Sequence, residues 1–179
     1  VRNYIFLRAV RRGESPEELH EQFWRRFDDP FWAEKVPQGR LLRPRSDLFL
    51  QHFLASRVAT DIPIGHLFVE YKFWTERERP FPTVRDELAA VARQGEVFRR
   101  LSAPATGDVL YPLATFLQRF DIGTAYPVLL HLAEVGLTDG QWREVAAVLE
   151  SHLLRRAVCG RTTKGYNRVF LTLTKALHR

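Results

Sequence analysis

LLRRAVCGRTTKGYNRVF (residues 153–170) holds the run Gly160-Arg161-Thr162-Thr163-Lys164-Gly165, and the reading of this run decides the fold. As a loop that cradles phosphate it would belong to a strand-loop-helix unit of an α/β protein. As a stop and restart between two helices it belongs to an all-α one. A Walker loop needs G-x-x-x-x-G-K-[ST] after a strand, so that backbone N–H groups wrap the phosphates while Lys and Ser/Thr reach phosphate and magnesium. Here Gly165 follows Lys164 instead of preceding it, and the upstream apolar residues repeat with helical period. The run therefore reads as a turn: Gly160 closes one helix as its C′ residue, and Thr162 or Thr163 caps the next.

Working outward, the segment before the turn begins with a capping box, Thr138-Asp139-Gly140-Gln141, and continues with Trp142, Val145, Ala146, Leu149 and Leu153 on one stripe. The segment after it, from about Thr163, stripes Tyr166, Val169, Phe170, Leu173 and Leu177. Leu149, Leu153, Phe170 and Leu173 should meet across the turn as an αα pair. Upstream the same signals recur. Arg2 to Val10 reads as the end of an earlier helix stopped at Gly13; Ser15-Pro16-Glu17-Glu18 starts another that buries Leu19, Phe23 and Trp24. Further helices are expected over Ser46–Thr60, Gly65–Glu78 and Thr83–Leu101, with two shorter ones separated near Asp121–Thr124. The expected fold is an all-α, multi-helix bundle. It forms one helical domain over 1–179 or two subdomains, about 1–102 and 107–179, with the Gly- and Pro-bearing loop Lys35–Pro44 as a hinge.

A chain of 179 residues with 13 Phe and four Trp has ample material for a core. No apolar run approaches the roughly 18 residues needed to span a bilayer, and the N-terminus lacks a signal-peptide pattern, so a cytoplasmic protein without membrane contact is expected. Cys159, the one cysteine, can form no internal disulfide and is expected to be a small buried apolar residue. The chain opens on Val1 and holds no Met, so it is expected to be a piece of a larger protein.

Charge is unevenly distributed. Residues 151–179 hold seven Lys and Arg and no Asp or Glu, a local excess larger than the +6 of the whole chain. On a continuous helix Lys164, Arg168, Lys175 and Arg179 would fall within one narrow arc, opposite the Tyr166–Leu177 stripe. Arg161, Thr163, Lys164, Arg168, Lys175 and Arg179 are thus the candidate nucleic-acid-binding residues, with the first N–H groups of the helix available for a further phosphate. The competing reading is a solvated polar face; the absence of any compensating acid favours a polyanion partner. Arg156 falls on the apolar side of its helix and is expected to pair with a carboxylate or carbonyl. His66 with Glu70, and His131 with Glu134, could each share a helix face, but two such pairs do not supply three or four convergent metal ligands. No H-E-x-x-H, G-x-S-x-G or Cys-x-x-Cys occurs, so no catalytic, cofactor or metal residue is assigned and no cofactor is expected in this chain.

ESHLLRRAVCGRTTKGYNRVFLTL (Glu150 to Leu173) resembles a signature of the bacterial family that includes the GmrSD-type, modification-dependent restriction endonucleases. The matching residues are Glu150, Arg155, Arg156, Cys159, Gly160, Thr163, Lys164, Tyr166 and Asn167. VRNYIFLRA at the start resembles the segment after that family's ParB/sulfiredoxin-like domain, and EELHEQFW the next helix. The resemblance implies the helical middle region of a phage-defence protein. An upstream domain with a D-G-Q-Q-R motif would use a nucleotide, and many members add a downstream HNH nuclease; neither motif is present here. The implied function is a non-catalytic module of an NTP-dependent DNA restriction protein, which couples flanking domains and contacts DNA through its basic C-terminal helix. The alternative is a scaffold or oligomerisation module, homo-oligomers included, whose basic face meets an acidic protein surface. A third reading, a free-standing enzyme using His131 and Glu134, would require a pocket joining them to other polar groups.

Overall fold

The computed structural model describes residues 1–38, 41–161 and 164–178. Among these the chain is predominantly helical: α1 (Arg2–Arg11), α2 (Pro16–Leu19), α3 (Pro30–Ala33), α4 (Arg45–Val58), α5 (Leu67–Arg77), α6 (Val84–Ser102), α7 (Tyr111–Arg119), α8 (Tyr126–Val135), α9 (Asp139–Val158) and α10 (Tyr166–Leu177). Two four-residue strands, β1 (Lys35–Gln38) and β2 (Leu41–Pro44), pair antiparallel with Lys35 opposite Pro44 and Gln38 opposite Leu41. No described helix is long and apolar enough to cross a membrane. The chain divides into two compact units, one of Val1–Val58 with Ile62–Arg93 and one of Ala59–Asp61 with Gln94–Arg179.

The first unit is built on aromatic rings. Trp24, Phe27, Trp32, Phe49 and Phe53 follow one another at centroid separations of 5.0, 4.7, 5.4 and 6.1 Å, and Phe53 continues to Tyr71 and Trp74 at 6.5 and 6.2 Å. Such offset and edge-on pairs add to the large apolar area each ring removes from water. A buried ionic group crosses this core: Glu87 on α6, 1 % exposed, takes Arg8 of α1 and a 2.5 Å hydrogen bond from the Tyr71 hydroxyl of α5. Burial, and then the Glu87 charge, push the Tyr71 phenol well above its ordinary range.

Local chemistry explains the element ends. The Ser15 hydroxyl accepts from the Glu18 N–H at 3.3 Å, and Pro16 occupies the first helical position. After α2 the backbone widens into a π-helical stretch, His20–Trp24, followed by a 3₁₀ turn, Arg25–Asp28. The wider turn brings residues five apart onto one face, so Leu19 and Trp24 are buried while Phe23 is only half-buried. Residues 35–38 and 41–44, within the segment expected as a hinge, instead form the strand pair, and both strands are tied down; residues 39 and 40 lie outside the described residues. Arg45 donates to Glu34 Oε2 at 2.7 Å and to the Phe31 carbonyl at 3.0 Å, and its guanidinium lies 4.2 Å from the Phe31 ring centroid. Gln38 Nε2 donates to Gln51 Oε1 at 2.8 Å, and Gln51 Nε2 to the Ile62 carbonyl at 2.6 Å.

In the second unit Leu101, Leu113, Leu117, Val128, Leu129, Trp142, Leu149, Leu153, Tyr166 and Phe170 form one core. α7 packs on α9, and α10 on α8 and on the short 3₁₀ turn Gly123–Ala125. The expected capping box is present: Gln141 N–H donates to Thr138 Oγ1 at 3.3 Å, and Gln141 Oε1 accepts from the Thr138 N–H at 2.9 Å. Arg100 grips Asp108 through two hydrogen bonds of 2.7 Å, which hold the Asp108 carboxyl below the usual carboxylate range.

Candidate nucleic-acid interface

The turn between α9 and α10 is built by the backbone. Gly160, at φ 64°, follows the last residues of α9; its N–H donates to the Ala157 carbonyl at 3.0 Å, and the Arg161 N–H to the Arg156 carbonyl at 2.9 Å. This pair is a Schellman motif, which satisfies carbonyls that the helix end would leave bare. It projects Arg161 outward into solvent. α10 starts at Tyr166 rather than Thr163, and its N-cap is Gly165, at φ 91°, with no side-chain cap. Thr162, Thr163 and Arg179 lie outside the described residues.

Four of the six candidate residues can therefore be placed, and they do not share one helical register. Arg168 and Lys175 stand on α10, seven residues apart and both exposed, about 10 Å apart along the axis. Lys164 is exposed in the turn before the left-handed Gly165, so its direction is set by the turn and not by helical spacing. Arg161 is exposed at the other side of that turn. None of the four makes an ion pair with a described residue. What the fold brings together is two cations on a helix face beside a basic turn.

The neighbouring side chains correct other expectations. Arg156 is half-buried, with its guanidinium 5.1 Å from the Tyr166 ring centroid and its Nε without a hydrogen-bond partner. It stacks on an aromatic face, and no ion pair with a described carboxylate accompanies that contact. Tyr166 itself belongs to the core of the second unit. Cys159 is exposed; it is the C-cap of α9, the last residue before Gly160. On α10 the buried residues are Tyr166, Phe170, Leu171 and Thr174, whereas Val169, Leu173 and Leu177 are partly exposed. Thr174 can take a core position because its hydroxyl donates to the Phe170 carbonyl at 2.9 Å within its own helix.

His131 of α8 packs against His178, which follows α10, with ring centroids 4.4 Å apart; His66 is exposed beside half-buried Glu70. Among the described residues no group of three or more His, Cys, Asp and Glu could hold a metal ion. The candidate site is a set of exposed cations, Arg161, Lys164, Arg168 and Lys175. No protein-family model matches the chain, and no curated protein or solved structure matches it.

Proposed function

We propose that this chain is a non-catalytic helical module of an NTP-dependent, modification-dependent DNA restriction protein of phage defence, which couples flanking domains and holds DNA phosphates through Arg161, Lys164, Arg168 and Lys175. The family assignment rests on the resemblance of Glu150–Leu173 to the GmrSD-type signature. The contact with DNA rests on one observation: four exposed cations, free of ion pairs with described residues, in a segment without a single Asp or Glu. Cations left unpaired on a surface keep their full capacity to displace condensed counterions from a nucleic-acid backbone.

Phosphate contacts position a protein on a duplex without reading its bases. Binding of the chain to plain and base-modified duplexes of one sequence, measured at fixed salt, should therefore give equal affinities. A preference of more than about tenfold for the modified duplex, a difference of roughly 1.4 kcal/mol, would assign base reading to this chain and contradict the proposal. Absence of binding to either duplex would favour the scaffold reading, with an acidic protein surface as the partner.

A further inference from the structure

Between α8, α9 and α10 of the second unit runs an open apolar groove of about 410 Å³, with Val128, Leu132, Val145, Leu149, Leu173 and Leu177 along it. Val148 of α9 also lines it and is 68 % exposed. The face of α9 that carries Val148 ends in opposite charges. Glu144 stands four residues before Val148 and Arg155 seven after it, both exposed and neither in an ion pair with a described residue. Eleven residues are three helical turns, so the two charges share a face about 16 Å apart.

We propose that this face is the interface between two copies of the chain, α9 of one lying antiparallel against α9 of the other. An acid at one end of a helix face and a base at the other are self-complementary in only that orientation. A two-fold axis sets Glu144 of each copy against Arg155 of the other, whereas parallel pairing sets like charge on like. The register that matches these charges also places Val148 opposite Ser151, whose small side chain leaves room for the valine to be covered. Leu173 and Leu177 flank the contact and lose their partial exposure to water. The proposal does not depend on the DNA reading.

Sedimentation equilibrium of the full chain tests it. The expected result is a concentration-dependent dimer. Val148→Asp should weaken it by roughly tenfold or more, and so should Glu144→Arg and Arg155→Glu singly. Combining Glu144→Arg with Arg155→Glu should restore dimerisation, since the exchange recreates both pairs. Melting temperatures measured at concentrations where the parent chain is monomeric should stay near its value, because the altered side chains are exposed. A chain that stays monomeric up to about 1 mM would overturn the proposal. So would a dimer indifferent to Val148→Asp, or a double variant as weak as its single components.

Discussion

Gly160 carries the opening turn on its backbone alone. A Cβ placed on it would meet nothing within 4 Å, so space does not select glycine there; its φ of 64° does. A side chain in that left-handed region costs about 1–2 kcal/mol, least for Asn and most for a β-branched residue. Gly160→Val should thus lower the denaturation midpoint clearly more than Gly160→Asn, with or without any ligand. Equal midpoints would show that the turn does not hold α9 and α10. This residue was legible in the sequence because a helix stop is a local event, written within five or six neighbouring positions. Glu87 was not, since its partners Arg8 and Tyr71 lie 79 and 16 residues away and only the fold brings them together. Removing one member of a buried pair strands the other's charge. Glu87→Ala should accordingly cost about 3–5 kcal/mol in chemical denaturation, far more than loss of the exposed Glu21 that pairs with Arg25.

At the scale of elements, α10 shows where periodicity succeeds and where it stops. The 3.6-residue repeat correctly gave a helix, yet Leu171 and Thr174 share its buried face with Tyr166 and Phe170, while Leu173 borders a groove. Apolarity alone ranks Leu173 above Thr174; the hydroxyl's bond within its own helix reverses that order. Phe170 is 2 % exposed and Leu173 40 %. Phe170→Ala should cost about 3–5 kcal/mol, and Leu173→Ala less than about 1 kcal/mol. Comparable losses for the two would contradict the orientation of α10. The strand pair at 35–44 was illegible for another reason. Each strand is four residues long and contains a proline, so its alternation is too short to register, and what fixes it is Arg45 and the Gln38–Gln51 bond.

At the scale of the whole molecule, the division into two units falls within α6, near residue 93, where composition does not change; the Ser102–Gly107 break that the sequence marks lies inside the second unit. One contribution to acid sensitivity comes from the partly buried imidazole of His52. Burial lowers His52 of α4 from 6.5 to about 4, so between these values the unfolded chain takes up a proton that the folded one excludes. Its contribution is therefore fully favourable above pH 6.5, declines as pH falls, and levels off below about 4 after a loss of up to roughly 3 kcal/mol. His52→Gln should make the denaturation midpoint less sensitive to pH across that window, and an unchanged slope would show that the imidazole is hydrated.

The basic surface is the feature on which the functional account stands, and it was half legible. The excess charge of residues 151–179 can be counted directly, but the left-handed Gly165 takes Lys164 out of the register of α10, which spacing alone does not reveal. The most direct measurement is duplex DNA affinity across a salt series, for the parent chain and for Arg168→Ala/Lys175→Ala. If these cations hold phosphates, the log–log slope should shrink by roughly 0.9 for each contact removed, about 2 for the pair, while the melting temperature stays the same because exposed charges contribute little to stability. An unchanged slope with a lowered melting temperature would contradict the account and assign these cations to architecture alone.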